Sequence, residues 1–179
     1  NIRRLTFAEA EEFPHAWTRD NRAVIFESNR NGNYDLFRQS IGQREPEPLV
    51  VGPSEDVMPQ LSPDGNWVLY RSTERGERRL MRVLAGGGRP EPVPVPVKWD
   101  EFQCPARADA PCVLRSIEHD QFVYRELDPV RGSGAELART GWSPTVVGDW
   151  AISPDGREVA IPNHDPRNAK LRLVPLGGR

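Results

Sequence analysis

Short apolar runs and polar turn sequences alternate along the chain. The clearest case is residues 61–70, where Ser-Pro-Asp-Gly is followed by one asparagine and then by the run Trp-Val-Leu-Tyr. Proline presets its φ angle, aspartate can bond its own backbone and glycine accepts a positive φ, so the first part predicts a tight turn. Aromatic and β-branched side chains suit a pleated surface, so the second part predicts a strand. The pattern indicates an all-β protein.

The same turn and strand recur at a regular spacing. A good copy lies at residues 152–160, a degenerate copy at residues 17–25, and residues 104–112 occupy the equivalent place in a fourth unit. The four units begin 44, 43 and 48 residues apart, at Trp17, Leu61, Cys104 and Ile152. A period of about 40–50 residues with four short strands is typical of a β-propeller. A β-sandwich does not explain one turn that returns at a fixed period.

We therefore predict a β-propeller of about four four-stranded antiparallel blades, in a single domain over residues 1–179. The approximate repeats are residues 8–51, 52–97, 98–139 and 140–179, with residues 1–7 as an outer strand. Within the repeats, strands are expected at residues 14–18, 23–28, 34–40, 48–51, 58–62, 67–72, 79–84, 92–97, 102–105, 112–116, 122–127, 135–138, 150–153, 158–162 and 171–175.

These motifs resemble the TolB-like, WD-repeat-like propeller repeat. The shared pattern is hydrophobic-Ser-Pro-Asp-Gly, then Ser-x-x-x-Gly, then a strand that ends in Gly-Gly. It is carried by residues 61–65, 72–76 and 80–88, by 152–156 and 173–178, and near the N-terminus by 4–6 and 28–37. The third unit, with Cys104, Cys112 and residues 127–132, is also similar to the extracytoplasmic propellers fused to some bacterial serine/threonine kinases and winged-helix regulators. No kinase residues are present in this sequence.

Two arrangements of the blades are open. The N-terminal segment, which is expected to be an outer strand, can complete the last blade and close a four-bladed ring. Alternatively, the four blades belong to a larger propeller, which would also suit a chain without an initiator methionine. The resemblance favours the larger propeller, because propellers of that family usually carry more blades.

The two cysteines predict a disulfide bond. Trp17 and Ile25, and the corresponding pairs in the other units, are eight residues apart, as are Cys104 and Cys112. We expect such pairs to face each other across the first hairpin of each unit, where the distance between Cα atoms suits a disulfide. A Cys104–Cys112 disulfide would replace the missing Ser-Pro-Asp-Gly turn and would imply an oxidising compartment. The alternative is two buried free thiols.

Composition and motifs narrow the function classes. The net charge is −2 and the arginines are spread along the chain, so no basic face indicates nucleic-acid binding. No apolar run is long enough to span a membrane. His15, His119 and His164 have no second ligand at metal-site spacing, and no Gly-x-Ser-x-Gly nucleophile motif occurs. We predict no catalytic residues, no metal and no cofactor.

The candidate binding residues lie where loops enter the first strand of each unit. In a propeller these positions line the central funnel, and aromatic residues with polar neighbours suit recognition of a peptide or protein. They can equally pack between blades. The candidates are His15, Met58, Gln60, Trp99, Gln103, Asp149 and Trp150.

The leading hypothesis is a non-enzymatic binding or sensor module that recognises a protein or peptide and is located in the bacterial periplasm or another extracytoplasmic space. The hypothesis includes no nucleic-acid partner and no membrane insertion of this chain, and it includes a tether to a membrane or a kinase domain in the parent protein. One alternative is the substrate-gating propeller of a prolyl oligopeptidase-like hydrolase, which predicts a hydrolase segment elsewhere in the parent gene. Another is a propeller enzyme such as a sugar lyase, which predicts a metal or a His/Arg/Tyr cluster at the funnel.

Overall fold

The computed structural model of the 179-residue chain describes residues 2, 4–141, 150–163 and 170–177. Within these residues the secondary structure is β-strand and turn, without helix, as the sequence predicts. Four antiparallel sheets follow one another along the chain, and the strands of each sheet pair in chain order. We call these sheets blades 1 to 4.

The bounds of the strands are as follows. Blade 1 contains β1 (Glu12–Trp17), β2 (Ala23–Ser28), β3 (Asp35–Ser40) and β4 (Glu47–Val50). Blade 2 contains β5 (Glu55–Leu61), β6 (Trp67–Glu74), β7 (Glu77–Leu84) and β8 (Glu91–Pro92). Blade 3 contains β9 (Trp99–Gln103), β10 (Cys112–Glu118), β11 (Gln121–Asp128) and β12 (Gly132–Gly141). The described part of blade 4 contains β13 (Ala151–Ile152), β14 (Glu158–Asn163) and β15 (Lys170–Pro175).

The chain divides into two compact units. The first, Asn1–Val93, contains blades 1 and 2, and the second, Pro94–Arg179, contains blades 3 and 4. In each unit the apolar core lies between the two blades, because a single four-stranded sheet cannot bury both of its faces. The core of the first unit consists of Ile25, Leu36, Leu49, Val50, Val68, Tyr70 and Val83. The core of the second unit consists of Val113, Phe122, Tyr124, Trp150, Val159 and Ile161.

One turn design joins the first two strands of blades 1, 2 and 4. In blade 2 the Ser62 N–H donates to the Trp67 carbonyl at 2.7 Å, and the Ser62 hydroxyl accepts the Trp67 N–H at 2.9 Å. Thr18 and Ser153 make the same pair of bonds with Ala23 and Glu158. The degenerate copy in blade 1 is therefore a true equivalent, with the hydroxyl of threonine in place of serine.

The aspartates of these turns have a structural role. The Thr18 hydroxyl donates to Asp20 and the Ser153 hydroxyl donates to Asp155, both at 2.7 Å. These hydrogen bonds are the main reason why the pKa of each aspartate lies below its ordinary value. The next residue has a positive φ in each case, 56° at Asn21 and 73° at Gly156. Each aspartate serves its own turn.

The register of the first hairpins corrects one premise of the disulfide prediction. Residues seven apart, not eight, face each other in the other blades: Trp17 pairs with Val24, and Ile152 pairs with Val159. Blade 3 has a connection that is one residue longer, so that the register of Gln103 with Val113 continues to Cys104 opposite Cys112. The structure contains this disulfide, with 4.1 Å between the two Cα atoms. The predicted disulfide is therefore confirmed, because the connection in blade 3 is one residue longer than the connections in the other three blades.

The expected N-terminal strand is absent from the described residues, and the strand expected at residues 92–97 is shortened. Residues 4–7 carry no strand, so the prediction of an N-terminal outer strand is wrong for the residues that the structure describes there. The expected strand 92–97 is reduced to β8, which ends at Pro92. Pro94 and Pro96 have no N–H to donate to a neighbouring strand. The Val93 N–H still reaches the Leu80 carbonyl at 2.9 Å, just beyond the strand.

Candidate functional site

The first strand of blades 1, 2 and 3 is interrupted by a β-bulge near the candidate binding residues. In β1 the register shifts at His15, in β5 it shifts across Met58, and in β9 it shifts at Asp100. A bulge turns one side chain away from its regular position, and bulges are enriched beside functional sites. Three of the four blades thus place an irregular, polar segment on the first strand.

His15 and Met58 meet at one carboxylate in the first unit. The Glu27 Oε2 atom lies 3.0 Å from His15 Nε2 and accepts the backbone N–H of Met58 at 2.6 Å. Met58 has a φ of 56°, an unusual conformation for a residue other than glycine. Glu27, which sequence reasoning missed, is 9% exposed and connects blade 1 to the bulge of blade 2. A buried charge needs such partners, because desolvation without them is costly.

The remaining candidate of the first unit is Gln60, which is half-buried in β5 and lies opposite Leu69. Met58 is also half-buried. The side chain of His15 is 26% exposed. These three candidates therefore retain some contact with solvent, although His15 and the Met58 backbone already have a partner in Glu27.

In the second unit, Gln103 and Trp150 connect blade 3 to blade 4. The Gln103 side-chain amide donates to the Trp150 carbonyl, and its oxygen accepts the Ile152 N–H at 2.9 Å. The Trp150 indole N–H donates to Glu101 at 2.7 Å, and its ring meets the Tyr124 ring edge-on at 5.4 Å. Trp150 is 3% exposed, so the structure places it in the packing between blades. This was the alternative interpretation of the aromatic candidates.

Arg115 lies at the centre of the polar network beside Trp150. Its guanidinium donates to Asp100 at 2.7 and 3.0 Å and to Glu101 at 3.0 Å. The same group lies over the rings of Phe122 and Trp150, at 4.7 and 5.6 Å from their centres. Arg115 is 7% exposed, and two carboxylates and two aromatic rings stabilise its charge there. Nothing in the spacing of the sequence singles this arginine out.

Two candidates complete the set. Trp99 begins β9, is half-buried, and contacts the Phe102 ring edge-on at 6.1 Å. Asp149 lies outside the described residues. The structure therefore brings the candidates together in pairs within each unit: His15 with Met58 through Glu27, and Gln103 with Trp150 directly.

A group of acidic and aromatic side chains lies where β1 begins and β2 turns into β3. The Tyr34 hydroxyl donates to the Glu11 carboxylate, and this hydrogen bond is the main reason why the pKa of Tyr34 is raised to about 12. The Phe13 and Tyr34 rings are 6.1 Å apart. Residues 9–12 are mostly acidic in the sequence, but the proximity of Glu11 to Tyr34 depends on the fold.

Asp56 is the most unusual titratable group in this region. It is 3% exposed, and burial is the main reason that its pKa is raised to about 6, with further contributions from the charges of Asp35 and Glu55. Its Oδ1 atom has no hydrogen-bond partner within the part of the chain that the structure describes. Asp35, by contrast, accepts bonds from the Gly52 N–H and the Asn31 side chain.

In the described ranges, no group of three or more histidine, cysteine, aspartate or glutamate side chains is arranged to hold a metal ion. His119 lies in the turn between β10 and β11 with a φ of 49°, and His164 lies outside those ranges. The same ranges contain no helix that is long and apolar enough to cross a membrane.

Comparison with known proteins identifies the fold. TolB from Acinetobacter baumannii is similar over 93% of this chain and 41% of its own, with a TM-score of 0.69 and 15% identity. A candidate TolB from Agrobacterium tumefaciens is similar over 93% of this chain and 60% of its own, with a TM-score of 0.59 and 17% identity. An oligogalacturonate lyase in complex with manganese is similar over 90% of this chain and 48% of its own, with a TM-score of 0.63 and 18% identity.

Sequence comparison adds one relative. An uncharacterised protein of Agrobacterium fabrum (strain C58) is 25% identical over 126 residues, which are 70% of this chain and 43% of that protein. No family model matches the chain. The chain thus spans less than half of this curated relative and between 41% and 60% of the TolB structures. With its four successive antiparallel blades and its structural likeness to TolB, the chain has the TolB-like β-propeller fold.

Proposed function

We propose that this chain is a non-catalytic binding or sensor module that recognises a protein or peptide at the funnel or top face of the propeller. The observation that carries the proposal is the set of bulged first strands, which present His15, Met58 and Gln60 in the first unit. In β-propellers the blades surround a central channel. A surface that mixes apolar and polar groups on a rigid sheet suits peptide recognition better than it suits proton-transfer chemistry.

The conformation of Met58 supports the proposal. A positive φ at a side chain other than glycine costs free energy and persists only where the surroundings hold it. Here Glu27 binds the Met58 N–H and Pro59 follows at once. Such strained positions cluster at binding sites, where they present a side chain in a defined orientation.

We propose an extracytoplasmic location, in the bacterial periplasm. The Cys104–Cys112 disulfide supports it, since such bonds persist in oxidising compartments and are rare in the cytosol. The proposal includes a membrane anchor or a kinase domain joined to this module in the parent protein.

The enzymatic alternatives receive no specific support from the described residues. The likeness to the oligogalacturonate lyase rests on 18% identity and carries the fold alone. A gating role beside a prolyl oligopeptidase-like hydrolase depends on a hydrolase segment in the parent gene. The binding module is therefore the function that the chain's own geometry supports best.

A selection from a random peptide library on the full chain tests the proposal. We expect selected peptides to lose about tenfold or more in affinity when Gln60→Ala or His15→Ala is introduced, because hot-spot contacts dominate recognition. Gln43→Ala, an exposed position in the loop between β3 and β4, is the matched control and should leave affinity unchanged. Peptides that bind all three variants equally, or a selection that yields no binder, would contradict the proposal.

A further inference from the structure

The described part of blade 4 contains no fourth strand. In blades 1, 2 and 3 the third strand pairs with a fourth, which is β4, β8 and β12 respectively. The third strand of blade 4, β15, pairs with β14 on one side only, in the part of the chain that the structure describes. The other edge of β15 is therefore the position at which blades 1 to 3 carry their outer strand.

The hydrogen bonds between β14 and β15 show which backbone groups lie at this edge. The Leu176 N–H donates to the Arg157 carbonyl at 2.7 Å, just beyond the paired residues. Hydrogen-bonded pairs alternate along an antiparallel ladder, and this ladder has no register shift, so the backbone of Arg172 bonds to β14. The N–H and carbonyl groups of Leu171 and Leu173 therefore point away from β14.

The same two leucines present apolar side chains to solvent. Leu171 is 79% exposed and Leu173 is 65% exposed. They lie on the face of blade 4 away from the core, because Val174, on the alternate face, packs against the core of the second unit. Ala160 and Pro162 lie opposite them in β14 and extend the apolar surface. The edge thus combines outward-pointing backbone groups with exposed apolar side chains.

Ion pairs link the third and fourth strands of the other blades. In each of these blades an arginine of the third strand lies opposite a glutamate of the outer strand. The charged groups approach to 2.6 Å in blades 1 and 2 and to 3.9 Å in blade 3. The pairs are Arg38–Glu47, Arg82–Glu91 and Arg125–Glu136. An outer strand of this protein is thus held by backbone pairing together with an acidic residue that faces a basic one.

Blade 4 has a different arrangement of charge at this edge. Leu173 takes the place of the arginine, since it lies as far along the chain from the hydroxyl residue of its first turn as Arg38 and Arg82 do from theirs. The basic residues are Lys170 and Arg172, which are exposed and have no ion pair within the described ranges. A strand that pairs with β15 would therefore place an apolar residue opposite Leu173 and acidic residues opposite Lys170 and Arg172.

A second copy of β15 fits this edge less well than an acidic strand does. Antiparallel pairing of two β15 strands about Arg172 sets that arginine opposite its own copy, and like charges directly opposite each other are destabilising. Charged residues on an edge strand also disfavour association with identical edges. An acidic partner strand turns the same charges into an attraction.

We infer that β15 binds an extended segment of a partner protein, in which apolar and acidic residues alternate, as the fourth strand of blade 4. The backbone groups of Leu171 and Leu173 pair with those of the segment, and its apolar side chains cover the two leucines. Its acidic side chains pair with Lys170 and Arg172. The inference goes beyond the proposed function, because this edge belongs to the second unit and none of the candidate binding residues lies on it.

Titration of the full chain with the blocked peptide Thr-Val-Glu-Val-Glu-Val-Thr tests the inference. Amide chemical shifts in NMR spectra locate the contact, and calorimetry gives the affinity. One control peptide has lysine in place of both glutamates. A second control peptide has N-methylated valines, which keep the side chains but cannot donate backbone hydrogen bonds.

We expect shifts at residues 170–174 with the glutamate peptide, and at least about tenfold weaker binding of either control peptide. Leu173→Pro removes an N–H that points away from β14, so it should weaken the glutamate peptide by about tenfold without loss of the β14–β15 pairing. Equal binding of the three peptides, shifts located elsewhere or no binding would overturn the inference.

A charge reversal gives the sharper test. Lys170→Glu combined with Arg172→Glu should weaken the glutamate peptide by about tenfold and should restore binding of the lysine peptide. Arg44→Glu combined with Arg89→Glu is the matched control, since it changes the net charge by the same amount at exposed loop positions of the first unit and should alter neither affinity. Reversal variants that bind both peptides like the natural chain would contradict the pairing of charges.

The source of the strand is tested with the same peptide. If the 179-residue chain binds the peptide but a longer natural form of the protein does not, a segment of the same polypeptide covers the edge and the inference of a partner is wrong. Binding by both forms supports a partner.

Discussion

The Glu27 carboxylate accepts the backbone N–H of Met58 at 2.6 Å, so that the second strand of blade 1 holds the bulge in the first strand of blade 2. Removing the carboxylate leaves this N–H without its partner in a partly buried position. We expect Glu27→Ala to lower the free energy of unfolding by about 1–3 kcal/mol, measured by urea denaturation. Glu27→Gln retains an acceptor oxygen and should cost less. A loss in Glu27→Ala no larger than that in Glu45→Ala would show that the bond does not stabilise the fold.

Alanine substitutions at Gly132 and Gly76 test how closely Gly132 packs against Pro94. Both have a similar positive φ, 86° and 83°, so an alanine carries the same backbone strain at either position. A Cβ atom at Gly132 would lie 1.7 Å from the Pro94 carbonyl oxygen, whereas one at Gly76 meets no described atom within 4 Å. We expect Gly132→Ala to be less stable than Gly76→Ala by about 2–3 kcal/mol, since the backbone must move. Equal thermal unfolding of the two variants would argue against this contact.

The disulfide should stabilise the third blade and be present without added oxidant. A cross-link that closes so short a loop contributes about 2–3 kcal/mol by restricting the unfolded chain. We expect dithiothreitol to lower the unfolding temperature of the natural chain but not that of the variant with both Cys104→Ala and Cys112→Ala. A thiol assay on denatured, unreduced protein should detect no free thiol. Two reactive thiols per chain would show that the bond does not form.

Asp56 should make stability depend on pH between about 4 and 6. Its pKa is raised to about 6 in the folded chain and returns to its ordinary value on unfolding, so the folded state binds the proton more tightly. The free-energy penalty of the buried charge is therefore absent at low pH, grows as the pH rises from about 4 to about 6, and stays constant above that range. We expect Asp56→Asn to gain stability relative to the natural chain over this range, by at most about 3 kcal/mol.

A matched control for this pH dependence is Asp109→Asn. The pKa of Asp109 is lowered, chiefly by its hydrogen bond from Arg107, so its titration lies below that of Asp56. The difference in the free energy of unfolding between Asp109→Asn and the natural chain should stay constant between pH 5 and pH 7. This range includes the pKa of about 6 at Asp56. If Asp56→Asn also gives a constant difference, Asp56 does not titrate as described.

Much of the fold was predictable because its signals are local. The hydroxyl of Thr18, Ser62 or Ser153 bonds the backbone only a few residues away, so each turn can be recognised from a short segment. The register was less certain. One extra residue in the third connection decides that Cys104 faces Cys112, while the other blades pair one position earlier. A spacing in the sequence does not show how many residues a turn uses.

The candidate site was only partly predictable. His15 and Met58 were recognised from their position before a strand, but their common partner Glu27 lies on another strand and has no motif of its own. Trp150 shows the opposite case, since a position typical of the funnel is occupied by a side chain buried between blades. Whether such a residue meets solvent depends on its neighbours in space.

By itself, the sequence determined the all-β class, the repeat and the turns, because hydrophobic alternation and turn residues act over a few positions along the chain. Only the tertiary structure decided which charged side chains lie close together in space. Glu11, Tyr34 and Glu55 are separated by about twenty residues from one to the next, and hydrogen bonds join them where β1 and β5 begin beside the β2–β3 turn. The buried, incompletely paired carboxylate of Asp56 arises in the same way, since burial and electrostatic coupling depend on distances through space.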